Sequence, residues 1–236
     1  MNQNAKVDSA FERLRRDILN GTHAPGQALR LTALTERYGL RGISLKTMLQ
    51  RMEKKNLVVS APNRGWRVAP VSLVDFEDLL SGRQSLETAL LIDAIEAGDA
   101  DWEAKLVAAH YRLAQAVVPV GAADTQAYRQ NWLALHDGFH SALIAGARSK
   151  WLKAIHADLV AQMHRHHQAV LSRIQSETQV QVETIALAYS VPRHTELMVA
   201  ALDRDISAAT IAVKKHSVLA RDIYQNVLGD GAPKPG

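Results

Sequence analysis

The chain has 236 residues, 47 % of them apolar and 22 % charged, with a formal net charge of +4. That is an ordinary globular composition, with material for one large domain or two small ones. It contains no cysteine, so disulfides and thiolate metal sites are excluded, and any metal has to be held by His, Asp or Glu. No apolar run approaches the ~20 residues that span a bilayer. The start, Met1 to Ala10, is polar and lacks the apolar core of a secretory signal. No membrane partner is expected, and a cytoplasmic location is.

Charge is divided unevenly along the chain. Residues 1–70 carry 13 Lys/Arg against 5 Asp/Glu, a net +8, whereas residues 71–236 carry 15 against 19, a net −4. Nine of the ten histidines fall in the second part. A basic head suits phosphate; a mildly acidic, histidine-bearing body suits a small ligand or a metal.

In chain order, Ser9 to Asn20 places Phe11, Leu14, Ile18 and Leu19 at helical spacing, and Gly21 stops the helix. Ala24-Pro25-Gly26 reads as a turn. Leu31 to Tyr38 forms a second short helix, and Gly39 allows a sharp turn after it. Ser44 is positioned to cap a third helix running to about Asn56, with Leu45, Met48, Leu49 and Met52 inward. Leu57-Val58-Val59 and Trp66-Arg67-Val68 are short β runs joined through a hairpin tip at 61–65. Three helices and a hairpin make a winged helix-turn-helix, whose third helix enters the major groove of double-stranded DNA. Arg41, Ser44, Lys46 and Thr47 are placed to reach bases or phosphates, and Arg64 and Arg30 to make backbone or groove contacts. A small solvated helical domain with scattered charge is the alternative reading of the same pattern.

The stretch Leu14 to Val68 resembles the DNA-binding domain of the GntR family of bacterial regulators. The resemblance rests on Gly21, Pro25-Gly26, Leu29, Tyr38-Gly39-Leu40, Leu45-Lys46-Thr47-Met48-Leu49, Asn56-Leu57-Val58 and Arg64-Gly65-Trp66-Arg67-Val68. It departs from the family where the usual Ser-Arg pair falls on Arg41-Gly42, Pro on Ser44, an Arg on Lys46 and another on Thr32. The family's operator sequence therefore does not carry over.

From Val74 onward the sequence reads as amphipathic helices over about 74–97, 99–118, 124–146, 149–173, 192–203 and 206–228, with 174–191 fitting either a helix extension or a loop. The fold expected is mainly α: a head over 1–70, an all-α antiparallel bundle over 71–229, and a disordered Gly/Pro-rich tail over 230–236. His136 and His140 project from one helix face. His194 and His216 are equidistant from the break at Asp203-Arg204-Asp205, so they face each other across an antiparallel hairpin, ~15 Å from its turn at ~1.5 Å per residue. Two such pairs in one bundle can make a four-nitrogen metal site; each histidine can also be exposed or singly hydrogen-bonded. In Met163-His164-Arg165-His166-His167, consecutive helical residues point in different directions, and a solvated or pocket-rim role is expected. Trp102, Trp132 and Trp151 read as core, and Trp66 as wing packing.

Val74 to Leu228 resembles the all-helical FCD effector domain of the FadR branch of that family. The motifs are Arg83-Gln84-Ser85-Leu86-Glu87, His136-Asp137-Gly138-Phe139-His140-Ser141-Ala142-Leu143, His194, Ala201-Leu202-Asp203-Arg204-Asp205 and His216. The resemblance puts the family's metal-binding Asp on His136 and its histidines on His140, His194 and His216. Loss of that carboxylate favours Zn or Ni over Mn or Mg. Within the branch the chain is most similar to the CsiR-like subgroup. The resemblance implies a homodimeric regulator, commonly a repressor, that binds a DNA operator and answers to a small carboxylic acid. The acid would rest on the metal, with Arg83 and Arg165 as counter-charges; a simple i,i+4 pair between Arg83 and Glu87 is the alternative. His136-Asp137-Gly138-Phe139-His140 also invites comparison with the H-E-x-x-H zinc proteases, but the glutamate base is missing and four histidines would fill a tetrahedral ion. A metal-free domain that binds an acyl thioester is the third reading.

Overall fold

The computed structural model describes residues 3–62, 65–118, 125–173 and 190–228. Contacts divide the chain into two compact units, Met1–Val71 and Ser72–Gly236.

In the head, α1 (Gln3–Leu19), α2 (Leu31–Tyr38) and α3 (Gly42–Lys54) surround a core that includes Leu14, Leu34, Met48, Leu49 and Met52. The apolar positions recur at three- and four-residue spacing, so each helix turns one stripe inward. Gly39 ends α2 at φ 71 and Gly42 opens α3 at φ 51. Both are left-handed values that suit glycine and let the chain reverse between the two helices. The third helix therefore starts earlier than Ser44: Arg41 occupies the capping position, without a side-chain cap. The sheet has three strands rather than the two expected. Strand β1 (Ala28–Leu29) pairs antiparallel with β3 (Gly65–Val68), and β3 pairs with β2 (Val58–Ala61). A two-residue strand leaves no periodicity to read, which is why β1 escaped the sequence pattern.

The body is helical throughout its described residues: α4 (Leu73–Ala97), α5 (Ala100–Ala114), α6 (Gln126–Leu143), α7 (Lys150–Arg173), α8 (Val191–Leu202) and α9 (Ile206–Leu228). Side-chain caps set five of the starts, Ser149 accepting from Leu152 N–H before α7 and Asp205 from Ala208 N–H before α9. Ser72 accepts from Asp75 N–H, Asp99 from Trp102 N–H, and Thr125 from Tyr128 N–H. Helix α4 packs chiefly on α9 and α7, and α5 packs on α6 and α8. Helices α5 and α6 are shorter than the expected 99–118 and 124–146. The segment in question at 174–189 and the tail at 229–236 lie outside the described residues.

Two expectations are corrected here. Trp102 and Trp132 are core residues, but Trp151 is 73 % exposed, because it sits at the open first turn of α7 beside Lys150. His166 is buried rather than solvated, because α4, α6 and α9 pack on α7 there; His167, also buried, lines a cavity, which is the pocket-rim alternative.

One residue between α8 and α9 departs from L-residue preference. Arg204 has φ 58, a left-handed value that glycine adopts more readily than a residue with a Cβ. Its guanidinium donates to the carbonyls of Ile95 and Gly98 and to Glu103, and lies 5.2 Å from the centroid of Trp102. These contacts tie the α8–α9 turn to the α4–α5 corner and offset the backbone cost.

Candidate metal centre

Four imidazoles meet inside the body. His136 and His140 come from α6, His194 from α8 and His216 from α9, and one nitrogen from each lies within 4.8 Å of all the others. The ring centroids of His136 and His140 are 4.6 Å apart, and those of His194 and His216 are 5.0 Å apart. The i,i+4 spacing on α6 supplies one pair, and the antiparallel α8–α9 hairpin supplies the other.

Three of the four rings have an outer nitrogen beside an acceptor. His140 Nδ1 is 2.5 Å from Glu87 Oε1, His194 Nδ1 is 3.1 Å from the carbonyl of Ser190, and His136 Nδ1 is 3.4 Å from Asp137 Oδ1. A carbonyl or carboxylate only accepts, so each Nδ1 carries the proton and each Nε2 keeps a lone pair. His140 Nε2, His194 Nε2 and His216 Nδ1 are buried and have no hydrogen-bond partner among the described residues. Burial pushes the imidazoles of His136 and His140 down to about 4 and that of His194 to about 3. Burial likewise holds His216 well below its ordinary value. Four neutral rings with converging lone pairs fit a divalent cation. In a tetrahedral site at 2.0–2.1 Å, the nitrogens would stand about 3.4 Å apart, within reach of small ring rotations.

Glu87 is the residue that sequence reading undervalued. It is 3 % exposed on α4 and accepts from Arg83 Nε at 2.9 Å as well as from His140, with His156 Nε2 at 3.6 Å. Burial alone would raise its pKa, but Arg83 and then His140 outweigh that and hold it well below the usual carboxylate range. The signal lay in register. Arg83 and Glu87 share the buried stripe of α4 with Leu80, Leu90, Leu91 and Ala94, where ions occur only when paired. The pair between Arg83 and Glu87 thus exists, but as a buried junction rather than a surface bridge. Asp137, off the cluster as its helical position requires, accepts from His164 Nδ1 at 3.0 Å.

A cavity opens beside the cluster. His136 and His216 reach it, and so do Arg83, Glu87 and His167. Arg165 is buried on the same helix as His167 but is not among the residues lining that cavity; burial lowers its pKa, and Asp75 opposes that.

In the head, Arg30, Arg41, Lys46 and Thr47 are exposed and Ser44 is half-buried, while Arg64 lies outside the described residues. Arg41 and Lys46 line a cleft between α2 and α3 together with Thr32, Thr35 and Trp66. Ile43, 86 % exposed in the first turn of α3, was not anticipated; its sequence context carries no signal that separates it from a core isoleucine.

Comparison with known proteins agrees with this geometry. Residues 6–68 match the bacterial regulatory proteins of the gntR family, and residues 78–218 match the FCD domain. The chain belongs to the GntR family, with an FCD domain. It is 31 % identical over 211 residues to the HTH-type transcriptional regulator BphR of Paraburkholderia xenovorans, covering 87 % of this chain and 86 % of that one. It is 28 % identical over 216 residues to the HTH-type transcriptional repressor GlaR of Escherichia coli, covering 91 % and 94 %. The fold is shared with E. coli McbR/YncC (TM-score 0.70, 16 % identity, 94 % and 97 % covered). It is also shared with a GntR regulator from Rhodococcus sp. RHA1 (TM-score 0.71, 18 % identity, 94 % and 98 % covered). This GntR/FCD chain is therefore a DNA-binding transcriptional regulator, not an enzyme, and no helix among its described residues is long and apolar enough to cross a membrane.

Proposed function

We propose that this regulator is a cytoplasmic repressor that leaves its DNA operator when a small carboxylic acid binds beside a metal in the FCD domain. The single observation that carries the reading is the converging set His136, His140, His194 and His216, with Arg83 buried next to it. The bound metal, Zn or Ni by the all-imidazole donor set, would supply a Lewis-acidic anchor for the acid's carboxylate. Glu87, the Ser190 carbonyl and Asp137 hold the rings in the ligating tautomer. Arg83 supplies the second positive charge; with Arg165 off the cavity wall, we assign the counter-charge to Arg83 alone. Repression is supported by the name of the E. coli relative. A homodimer on a palindromic operator is the arrangement that a single winged helix per chain would use to read two half-sites. We further propose that the chain belongs with the CsiR-like subgroup, on the strength of His136 in place of Asp and of Arg41-Gly42 in place of Ser-Arg.

The test is to select operator sequences from a randomised duplex library with the full-length protein. Affinity for the selected site should fall steeply with salt, at a log–log slope of about −0.9 per neutralised phosphate. Lys46→Ala or Arg41→Ala should cost about 1–3 kcal/mol where the contact reads a base. Unchanged affinity in both variants contradicts the docking of α3.

A further inference from the structure

The cavity beside the four histidines has two kinds of wall. One is apolar: Phe76, Leu80, Val170, Leu197, Val213 and Ile223. The other carries the polar groups, and only one of the described lining residues there is a permanent cation, Arg83. Its Nε is engaged by Glu87, and its Nη2 is buried without a hydrogen-bond partner among the described residues. Glu87 is an anion at the same wall. The other hydrogen-bonding groups, Ser217 and Tyr224, are uncharged.

His167 is the remaining polar lining group. It is 5 % exposed, its Nδ1 has no hydrogen-bond partner among the described residues, and its ring lies 6.1 Å from those of both His136 and Phe76. It is a hydrogen-bonding group at the junction of the polar and apolar lining residues.

Resting on the reading above, that the cavity receives an acid, we propose that the effector is a monocarboxylate with an apolar body and one uncharged hydrogen-bonding substituent, and that His167 binds that substituent. The first carboxylate would take the metal and Arg83 together, so a second one would meet apolar wall or Glu87, with no further cation among the described lining residues to receive it, and a buried unpaired charge is strongly disfavoured. The apolar wall instead gains by covering a hydrocarbon or aryl group. A buried nitrogen left without a partner disfavours a ligand that lacks the matching hydroxyl or carbonyl.

The experiment uses the full-length, zinc-loaded protein and isothermal titration, with thermal shift as a check. The probes are 3-phenylpropanoate, its 2-hydroxy and 3-hydroxy derivatives, succinate and glutarate. The monocarboxylates should bind at least about tenfold more tightly than the dicarboxylates, and one hydroxy derivative should bind about tenfold more tightly than the parent acid. His167→Leu should abolish that hydroxyl advantage, leave the parent acid within about threefold, and leave zinc content unchanged. His167→Gln, which keeps a neutral hydrogen-bonding group, should retain part of the advantage and serves if the leucine variant does not fold. Tighter binding of glutarate or succinate, equal weakening of parent and hydroxy acids in both His167 variants, or no monocarboxylate binding while zinc stays bound overturns the proposal. Failure of the wild-type chain to hold zinc is a different result, and strikes the metal centre instead.

Discussion

The head and the body use charge in opposite ways. The head, at +8 over residues 1–70, keeps cations such as Arg30, Arg41 and Lys46 at its surface and buries an apolar core, so its charges act outward on a polyanion. The body, at −4 over residues 71–236, draws Arg83, Glu87 and a group of histidines into its interior, where they act on one another. Exposed charges in high dielectric give long-range, salt-sensitive attraction; buried ones give local geometry at a desolvation cost. The two units should therefore fail under different stresses.

The sharpest way to break the comparison is through the cores. Met48 is fully buried in the head, and Met48→Ala should destabilise that unit by about 2–5 kcal/mol. Operator binding at 37 °C should fall with the head's melting transition, while metal content stays at the wild-type value. Joint loss of both would show that the units do not behave separately.

The contrast in charge between head and body was legible in the sequence because charge segregation and apolar periodicity are one-dimensional signals. The inward stripe of α3 and the facing of His194 and His216 both follow from spacing alone. What was not legible depends on neighbours from elsewhere in the chain. Glu87 gains its role from His140, 53 residues away. His167 is buried because α4, α6 and α9 pack on α7, and Trp151 is exposed because it takes the outward side of a first turn whose Leu152 packs on the core. Arg204 sits in a left-handed turn that only its contacts to Ile95, Gly98 and Trp102 explain.

Acid should separate the units next. His166, bonded to Tyr224 and outside the cluster, is pushed by burial down to about 4. With an unfolded value near 6.5, the unfolded chain binds a proton that the native state refuses between those two values, so stability falls as pH falls from about 6.5 to about 4. A buried histidine of this kind costs the folded chain on the order of 3 kcal/mol by the acid end of that window, and His136, His140 and His194 add to the effect in the metal-free chain. In the head, burial works against Asp17, but its bonds from Tyr38 and Arg37 prevail and lower its pKa. That contribution is present above the unfolded carboxylate value and is lost only as pH drops through the lower folded one. His23 is the head's one histidine lowered by burial. Melting of the two units against pH by circular dichroism should show the body yielding first, near pH 5–6. A head that melts first contradicts the assignment.

A smaller effect sharpens the account of the body. Arg204→Ala should destabilise it by about 1–2 kcal/mol, since the left-handed backbone stays and the tethering contacts go. Arg204→Gly relieves the backbone and should recover part of that loss in thermal melts. If glycine proves worse than alanine, the φ of this turn is not the source of strain.

The most direct measurement is the metal content of the full-length protein by mass spectrometry, after dialysis against zinc and then metal-free buffer. The account predicts about one ion per chain in the wild type, the stoichiometry of a single four-ligand site. It predicts loss of that ion, together with the ligand-dependent part of the body's thermal stability, in His194→Ala/His216→Ala. His164→Ala should keep the ion. Stoichiometric metal retained in the double variant would contradict the claim that these four histidines form the centre.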